Sequence, residues 1–356
     1  MTTIADLPKT YKAASISAAN GPWEIVTKEI RAPAPNEVLI RVHASGICNS
    51  DHFAKSGMWP GIQFPRVTGH EVVGRVAGVG AGVSRGDREG RYKLGALVGV
   101  GWNGGYCGRC EACRAGNAWV CKEGQVTGFT YDGGHAEYMY APETAIVSIP
   151  EEALQNASYA ELAPLLCGGI TVFDAIRTAP WKPGDLCLVQ GIGGLGHLAI
   201  QYASKLGLKV VAISSGSSKR SLALSLGASD YVDASTTDVV AYAKSRGGAR
   251  LVLCTAPYSQ SISDIIPAVG LNGTVTLVSA AVDGKIQVEN LVLNMNRAAL
   301  RGWCCGCAPD MEQCVKFSTL SDVKSMVQTF PLEEYPSAYD GVQANKARFR
   351  NVIVFP

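Results

Sequence analysis

The chain has 356 residues, more than the roughly 250 to 300 that one hydrophobic core usually serves, so its length predicts two domains. Its 32 lysine and arginine residues nearly balance its 30 aspartate and glutamate residues, and there is no basic run, which argues against a nucleic-acid partner. The sequence has no run of about 18 apolar residues and no secretory signal pattern. We therefore expect a cytoplasmic protein without a membrane partner.

Short β-rich runs, separated by glycine and proline, occupy residues 13–149. They include VLIRVHASGI, VVGRVAGVG and AEYMYAP, and this pattern predicts a β-barrel or sandwich with long loops. Between residues 158 and 300, strand-like runs such as LCLVQG alternate with helical patterns such as LGHLAIQYASKLG, which predicts βαβ units around a parallel sheet. We place one domain at residues 1–155, a second at 156–297, and a tail of mixed short elements at 298–356.

Four cysteines lie close together in the segment GGYCGRCEACRAGNAWVC, with the spacing C-x2-C-x2-C-x7-C. In a long chain without a signal peptide, clustered cysteines indicate a metal rather than a disulfide framework. Four thiolates can surround zinc as a tetrahedron that leaves no position for a substrate. The spacing therefore predicts a structural zinc site, in a lobe at residues 100–125, rather than four unrelated thiols. Its ligands are Cys107, Cys110, Cys113 and Cys121.

A glycine motif follows the strand-like run LCLVQ and opens a helical pattern. It has the form G-x-G-x-x-G, with glycines at Gly191, Gly193 and Gly196 and with Gly194 and Leu195 between them. Such glycines permit a tight turn, close approach to a pyrophosphate and helix-to-strand packing, while the helix N-terminus favours negative charge. In this strand-glycine-helix context the motif predicts a dinucleotide site.

The segment AISSGSSKR predicts which dinucleotide binds. NAD enzymes commonly place an acidic residue about 20 residues beyond the glycine motif, to bind the ribose hydroxyls. Here the positions hold Ser214 and Ser215, followed by Lys219 and Arg220. Two hydroxyls and a cation suit a 2′-phosphate, so the sequence favours NADP(H) over NAD(H). The alternative is that Lys219 and Arg220 only begin a solvated helix.

A catalytic zinc needs three protein ligands and one exchangeable position. Three candidates stand outside the four-cysteine segment: Cys48 in GICNSDHF, His70 in VTGHEVVG and Cys167 in PLLCGGITVF. The surrounding motifs are G-x-C-x-S-D at residues 46–51, G-H-E at 69–71 and L-L-C-x-G-x-T at 165–171. Together with the four cysteines and the glycine loop, they occur in the order found in zinc-dependent medium-chain alcohol dehydrogenases. The chain resembles that family over nearly its whole length, in its cinnamyl-alcohol-dehydrogenase-like or yeast-like branch.

The resemblance implies a two-domain α/β fold, with a GroES-like β-barrel catalytic domain and a Rossmann domain built on a doubly wound parallel sheet. The tail at 298–356 would return to the catalytic domain. Cys48, His70 and Cys167 would bind the catalytic zinc, which gives two Zn²⁺ per chain with the structural site. The family also implies a homodimer or a homotetramer formed through the nucleotide domain.

Residues around the ligands acquire roles from the same resemblance. Asp51 would orient the imidazole of His70, and Ser50 would receive the alcohol's proton. Glu71 matches a glutamate that approaches zinc during ligand exchange, although a structural salt bridge is the alternative. Many family members carry a relay histidine where this chain has Phe53. On a helix the neighbouring His52 points about 100° away, which favours a surface role, and whether it replaces the relay stays open.

Other residues have weaker assignments. Thr171 matches a position beside the nicotinamide, or is an ordinary helix threonine. Trp59 and Trp102 match positions that line the substrate cleft, and simple core packing is the alternative. In GWCCGC, the cysteines at 304, 305 and 307 lack metal-site spacing, so we expect ordinary core or surface thiols. We expect structural roles for the three remaining histidines, His43, His135 and His197.

The resulting hypothesis is a zinc-dependent oxidoreductase that transfers a hydride between NADP(H) and a primary alcohol/aldehyde pair, in the direction of aldehyde reduction. One alternative is an NAD-linked polyol or secondary-alcohol dehydrogenase on the same scaffold. A second is a non-enzymatic protein that uses its zinc lobe to bind partners.

Overall fold

The computed structural model describes residues 7–83 and 90–356. It divides the chain into two compact units. The first unit contains the chain up to Cys167 together with Gly306–Pro356, and the second contains Gly168–Cys305. The tail therefore belongs to the same unit as the N-terminal half.

The described strands, in chain order, are β1 (Thr10–Ile16), β2 (Trp23–Glu29), β3 (Glu37–Ile47), β4 (Arg66–Val67), β5 (Val72–Val79), β6 (Leu97–Val100), β7 (Tyr138–Pro142), β8 (Ile146–Ser148), β9 (Leu186–Gln190), β10 (Lys209–Ser214), β11 (Asp230–Asp233), β12 (Ala249–Cys254), β13 (Val269–Leu277), β14 (Ala299–Gly302), β15 (Val327–Phe330) and β16 (Arg350–Val354). The described helices are α1 (Asp51–Lys55), α2 (Glu111–Arg114), α3 (Ala153–Asn156), α4 (Tyr159–Leu162), α5 (Gly168–Arg177), α6 (Gly196–Lys205), α7 (Arg220–Ser225), α8 (Val239–Lys244), α9 (Ser259–Ile265), α10 (Asn290–Asn296), α11 (Ala308–Ser321) and α12 (Tyr335–Gln343). Short 3-10 segments lie at Ala118–Val120, Glu143–Ala145, Ala163–Leu166, Ile266–Ala268 and Leu332–Glu334.

The first unit is built on two sheets. The larger has the order β15-β16-β3-β5-β6-β8, with β7 also paired to β3, and the smaller has the order β2-β1-β4. Valine and isoleucine side chains of β3, β5 and β6 are buried and form the core of this unit. The short β-rich runs are strands as predicted, because each supplies apolar residues to this core.

The second unit contains a six-stranded parallel sheet with the order β11-β10-β9-β12-β13-β14. All five residues of β9 are buried, as expected for a central parallel strand that is covered on both faces. Chain order reverses between β9 and β12, and ligands of such sheets bind at this switch point, beyond the carboxyl ends of the strands. The predicted doubly wound sheet is confirmed, and the glycine motif directly follows β9.

The unit boundaries lie further along the chain than we predict from sequence. The units divide at 167/168 and 305/306, whereas the sequence places the boundaries at 155/156 and 297/298. Helix α4 and the 3-10 segment after it belong to the first unit because their side chains bind there. The Tyr159 hydroxyl accepts a hydrogen bond from Arg75 Nε in β5 at 2.9 Å, and Leu166 lies against Gly99 in β6. Strand β14 keeps residues 299–302 in the second sheet.

Within the described ranges, no single helix is long and apolar enough to cross a membrane. One bent pair of short helices, at 159–166 and 168–177, has the combined length and apolar composition of a membrane span, and this is the only respect in which it resembles one.

Candidate active site

Cys48, His70 and Cys167 come together in the first unit. Strands β3 and β5 are antiparallel, with Ser45 opposite Val72, so Cys48 at the end of β3 lies beside His70 before the start of β5. Cys167 ends the 3-10 segment Ala163–Leu166, and its Sγ lies 3.9 Å from Sγ of Cys48. One ligand atom from each of these residues, and one from Glu71, lie within 4.8 Å of one another.

The chemistry of this group fits zinc. His70 is fully buried, and neither ring nitrogen makes a hydrogen bond within the described residues. A buried polar group left without a partner costs about 1–3 kcal/mol, which a bound metal would offset. The contact with the Cys167 thiol, and then the His70 ring, lowers the pKa of Cys48 well below its ordinary value, which favours the thiolate that binds metals. Two thiolates and one imidazole leave the open position that a catalytic zinc requires.

Asp51 is a buried carboxylate that contacts both ligand segments. Its Oδ2 accepts a hydrogen bond from the amide of Cys48 at 2.9 Å, and its Oδ1 accepts one from the amide of Gly69 at 3.2 Å. Oδ1 also lies 3.6 Å from Nδ1 of His70. Burial raises the pKa of Asp51, but the rings of His70 and His135 outweigh this effect and lower it. A carboxylate thus stands beside the His70 ring, where the predicted orienting role needs one.

Glu71 makes a salt bridge, one of the two alternatives that the sequence offers, and it also lies within reach of the metal-binding group. Its Oε1 accepts a hydrogen bond from Nη2 of Arg350, in a buried ion pair. Its Oε2 has no hydrogen-bond partner within the described residues, and the side chain joins the metal-binding group. Glycine at position 46 leaves room for this side chain, because a Cβ there would clash with the Glu71 carboxylate. No local motif predicts the partner Arg350, which lies 279 positions away in β16.

Ser50 directly precedes α1, which carries Asp51, His52 and Phe53 on successive helical positions. His52 is exposed, while Phe53 is half-buried. Nδ1 of His52 lies 3.0 Å from the hydroxyl of Tyr339, a contact that the sequence does not predict. The helical geometry assumed for His52 therefore holds.

Aromatic side chains stand beside the metal-binding histidine. The Trp102 ring lies edge-to-face with the His70 ring, at 4.8 Å and 87°. Trp59 packs against Trp102 at 5.6 Å, and Phe129 lies 5.0 Å from each of the two indoles. Phe129 is not among the residues predicted from sequence for the substrate cleft. It lies in the loop TGFTYDGG, which has neither a helical nor a strand pattern of apolar residues. These three rings, which we call the aromatic wall, form an apolar cluster in which Trp102 lies against His70.

The four-cysteine group also forms. The Sγ–Sγ distance is 3.5 Å in the pair Cys110–Cys113 and also in the pair Cys107–Cys121. It is 3.8 Å between Cys110 and Cys121. Backbone amides, with Cys113 first, lower the pKa of Cys110 to about 6. Helix α2 and the 3-10 segment Ala118–Val120 in this lobe have no buried residue. A metal is therefore the feature that can hold the lobe together.

The glycine loop has the geometry that the motif predicts. Gly191 has φ +93°, and a Cβ there would lie 2.7 Å from Cβ of Ala256. A Cβ on Gly196 would lie 2.0 Å from the carbonyl oxygen of Gly191, whereas nothing lies within 4 Å of one on Gly193. Thr255 Oγ1 donates to the carbonyls of Gln190 and Gly191 and fixes the turn. The loop thus leaves open space at Gly193, at the start of α6, where a pyrophosphate would fit.

The proposed phosphate residues lie at the end of β10. Ser214 ends this strand, and Ser215 is exposed. Lys219 precedes α7, and its Nζ donates to the carbonyl of Ile192 in the glycine loop at 3.0 Å. A carboxylate that local sequence does not predict lies beside the loop after β10. Oδ1 of Asp233, in β11, accepts a hydrogen bond from the amide of Gly216 at 2.9 Å. Thr171 is buried in α5.

Comparison with known proteins identifies the family. Residues 34–151 match the alcohol dehydrogenase GroES-like domain and residues 194–319 match the zinc-binding dehydrogenase family. The chain is 38% identical over 346 residues to the alcohol dehydrogenase patD of Penicillium expansum, covering 97% of this chain and 98% of that protein. It belongs to the zinc-containing medium-chain alcohol dehydrogenases. The predicted family and the GroES-like and Rossmann folds are thereby confirmed.

Other relatives agree with this assignment. An alcohol dehydrogenase of Geobacillus stearothermophilus is 32% identical, over 96% of this chain and 99% of the relative. The solved structure of a cinnamyl alcohol dehydrogenase from Sorghum bicolor has a TM-score of 0.85 and 27% identity, and covers 97% of this chain and 98% of that chain. The alternative of a zinc-binding protein without enzyme activity finds no support.

We expect elemental analysis of the freshly purified, unchelated dehydrogenase to give two zinc ions per chain. The closed group of four thiolates and the open group around His70 would each hold one ion. A single zinc per chain, or none, would contradict the assignment of two sites.

Proposed function

We propose that this alcohol dehydrogenase transfers a hydride between NADP(H) and a primary alcohol/aldehyde pair, in the direction of aldehyde reduction. The observation that carries the coenzyme part is the position of Lys219, whose ammonium group is held at the glycine loop by the carbonyl of Ile192. A cation fixed at this point, close in sequence to the hydroxyls of Ser214 and Ser215, suits a dianionic 2′-phosphate.

Different residues of the chain would bind the metal, orient a ligand and transfer the proton. Cys48, Cys167 and His70 would hold zinc, and Asp51 would keep the His70 ring oriented. A zinc ion held by these residues would supply Lewis-acid chemistry, and the nicotinamide would supply the hydride chemistry. Ser50, at the start of α1, would accept the proton of the alcohol or return it to the alkoxide.

The aromatic wall supports a primary alcohol or aldehyde as substrate. Trp59, Trp102 and Phe129 present apolar rings beside His70 and would exclude water from the reacting group. A polyol would require hydrogen-bond partners that rings of this kind largely lack. A secondary alcohol would have to place a second substituent beside the same metal centre. We therefore prefer a primary, apolar substrate to the polyol or secondary-alcohol alternative.

Asp233 is the observation that favours the NAD-linked alternative. Its carboxylate lies close enough to the loop after β10 to accept a hydrogen bond from Gly216. The same oxygen also accepts hydrogen bonds from the amide and the hydroxyl of Ser235, at 2.9 and 2.6 Å. Because Oδ1 of Asp233 already accepts hydrogen bonds from Gly216 and Ser235, we propose that this carboxylate supports the loop conformation rather than binding the ribose hydroxyls.

The coenzyme proposal is tested by kcat/KM with NADPH and with NADH. We expect the wild-type enzyme to prefer NADPH and Ser214→Asp to reverse the preference, since a carboxylate repels the phosphate and accepts bonds from a free ribose diol. A charge-assisted hydrogen bond contributes about 1.5–3 kcal/mol, so its loss should weaken NADPH roughly tenfold to a hundredfold. NADH should be nearly unaffected by the loss of that bond.

Ser225→Asp is the matched control, because it adds the same charge at the exposed far end of α7 and should leave the preference unchanged. A wild-type preference for NADH would contradict the proposal. So would a Ser214→Asp variant that still favours NADPH.

We also propose a homodimer or a homotetramer formed through the second unit. Its sheet ends in the edge strand β14, which has an unpaired side among the described strands. The strongly exposed apolar residues of the same unit include Val282 at 69%, Leu291 at 65% and Met295 at 74%. A second copy of the chain could cover such side chains.

A further inference from the structure

His135 contacts the same carboxylate as the metal-binding histidine. Its Nε2 lies 3.4 Å from Oδ2 of Asp51, while Nδ1 of His70 lies 3.6 Å from the other oxygen, Oδ1. The side chains of His70, Asp51 and His135 are all fully buried. One carboxylate therefore stands between two imidazole rings, of which only His70 belongs to the metal-binding group.

The hydrogen bonds determine where the proton of His135 lies. An ionised carboxylate can only accept hydrogen bonds, so Nε2 of His135 must carry the proton that faces Asp51. In the neutral ring Nδ1 is then the acceptor, and the hydroxyl of Ser45, which lies 2.9 Å from it, can donate. A neutral ring in this tautomer has a partner at both nitrogens. Ser45 thus fixes the ring so that its N–H points at Asp51.

The backbone around His135 is tied to the segment before His70. The amide of His135 donates to the carbonyl of Thr68 at 3.0 Å, and the amide of Gly134 donates to that of Gly69 at 3.0 Å. Gly69 has φ +104°, and a Cβ on it would lie 2.8 Å from Cγ of His135. The ring therefore packs directly against the residue that precedes the ligand, so its position is closely defined.

We propose that His135 is a positioning residue, which orients the metal ligand His70 by holding Asp51. This inference rests on the proposed zinc centre. The His135 N–H fixes Oδ2, and the amide of Cys48 binds the same oxygen, so the carboxylate keeps Oδ1 toward Nδ1 of His70. Nε2 of His70 is then the ring nitrogen that remains for the metal. Groups that orient a metal ligand in this way typically change metal affinity about 10- to 100-fold when they are removed.

A purely structural role for His135 must be separated from positioning. The ring also packs against Tyr335, with centroids 4.7 Å apart, so a loss of stability alone would not decide between the two roles. Two substitutions separate them. His135→Gln can present an amide N–H about as far from the backbone as Nε2, whereas His135→Asn keeps an amide but is too short to reach Asp51.

The decisive measurement is the rate at which the zinc-loaded protein releases zinc to a chelator, followed with a colorimetric indicator. We expect His135→Asn to release zinc from the His70 site about tenfold faster than wild type. This is the lower end of the 10- to 100-fold range, because the Cys48 amide still binds Asp51 in this variant. His135→Gln should release it at close to the wild-type rate. Release from the four-cysteine site should be the same in all three proteins and serves as the internal control.

The proposal would be overturned if His135→Asn released zinc at the wild-type rate. It would also be overturned if His135→Gln released zinc as fast as His135→Asn does. If His135→Asn does not fold, Ser45→Ala decides, because it removes the partner of Nδ1 and leaves the ring in place. Faster release from Ser45→Ala supports positioning, and an unchanged rate overturns it. A wild-type protein without a second releasable zinc would instead contradict the proposed catalytic centre itself.

Discussion

Replacing Cys167 with serine is expected to abolish turnover and to remove one of two zinc ions while the protein still folds. Cys167 supplies one of the two thiolates of the open group, with its Sγ 3.9 Å from that of Cys48. A metal Lewis acid contributes several kcal/mol to the reaction, and each 1.4 kcal/mol is about tenfold in rate, so turnover should fall by at least about 10³. Steady-state kinetics and zinc analysis of the same preparation measure both effects.

Cys110→Ser is the matched control for this substitution. It also removes one thiolate from a zinc group, but from the closed group in the lobe, where helix α2 has no buried residue. Because closed zinc sites contribute folding free energy, we expect a lower unfolding temperature and a smaller loss of turnover per folded molecule. The assignment of the two sites would be reversed if Cys110→Ser abolished turnover in folded protein and Cys167→Ser retained it.

Ser50→Ala should lower turnover by roughly 10² to 10⁴, the usual contribution of a positioned proton-transfer group. Ser50 lies in the chain between the ligand Cys48 and the carboxylate of Asp51, and it directly precedes α1. Its substitution removes only a hydroxyl, so zinc content and unfolding temperature should match those of wild type. The measurement is kcat with a saturating alcohol and coenzyme.

His52→Ala provides the comparison, because His52 is exposed and its Nδ1 contacts the Tyr339 hydroxyl at 3.0 Å. We expect a loss of turnover far smaller than that for Ser50→Ala. Equally large losses in the two variants would show that His52 takes the place of the relay histidine that Phe53 replaces in this chain.

Sites whose residues are close in sequence could be predicted from the sequence. The four cysteines span residues 107–121, so their spacing alone brings the thiolates together, as the structure shows. The glycine loop lies within residues 191–196 and follows a buried strand, so its turn depends on local backbone conformation. The alternation of strands and helices likewise predicts the parallel sheet, because the polar and apolar pattern is set residue by residue.

The open metal group required the family resemblance, since its residues at 48, 70 and 167 share no local spacing. The partners around it are equally distant: Arg350 reaches Glu71, His135 reaches Asp51, and Phe129 packs on Trp102. For the same reason Asp233 could not be predicted from local sequence, since it approaches Gly216 only because β11 pairs with β10.

The sequence by itself thus determined the zinc lobe, the glycine loop and the two kinds of sheet, because each depends on neighbouring residues. The tertiary structure alone decided which buried groups face His70 and Asp51, and which unit holds residues 156–167. Those contacts arise from the pairing of strands far apart in the chain, such as β3 with β5 and β16. The pattern of polar and apolar residues within one strand does not indicate which distant strand it pairs with.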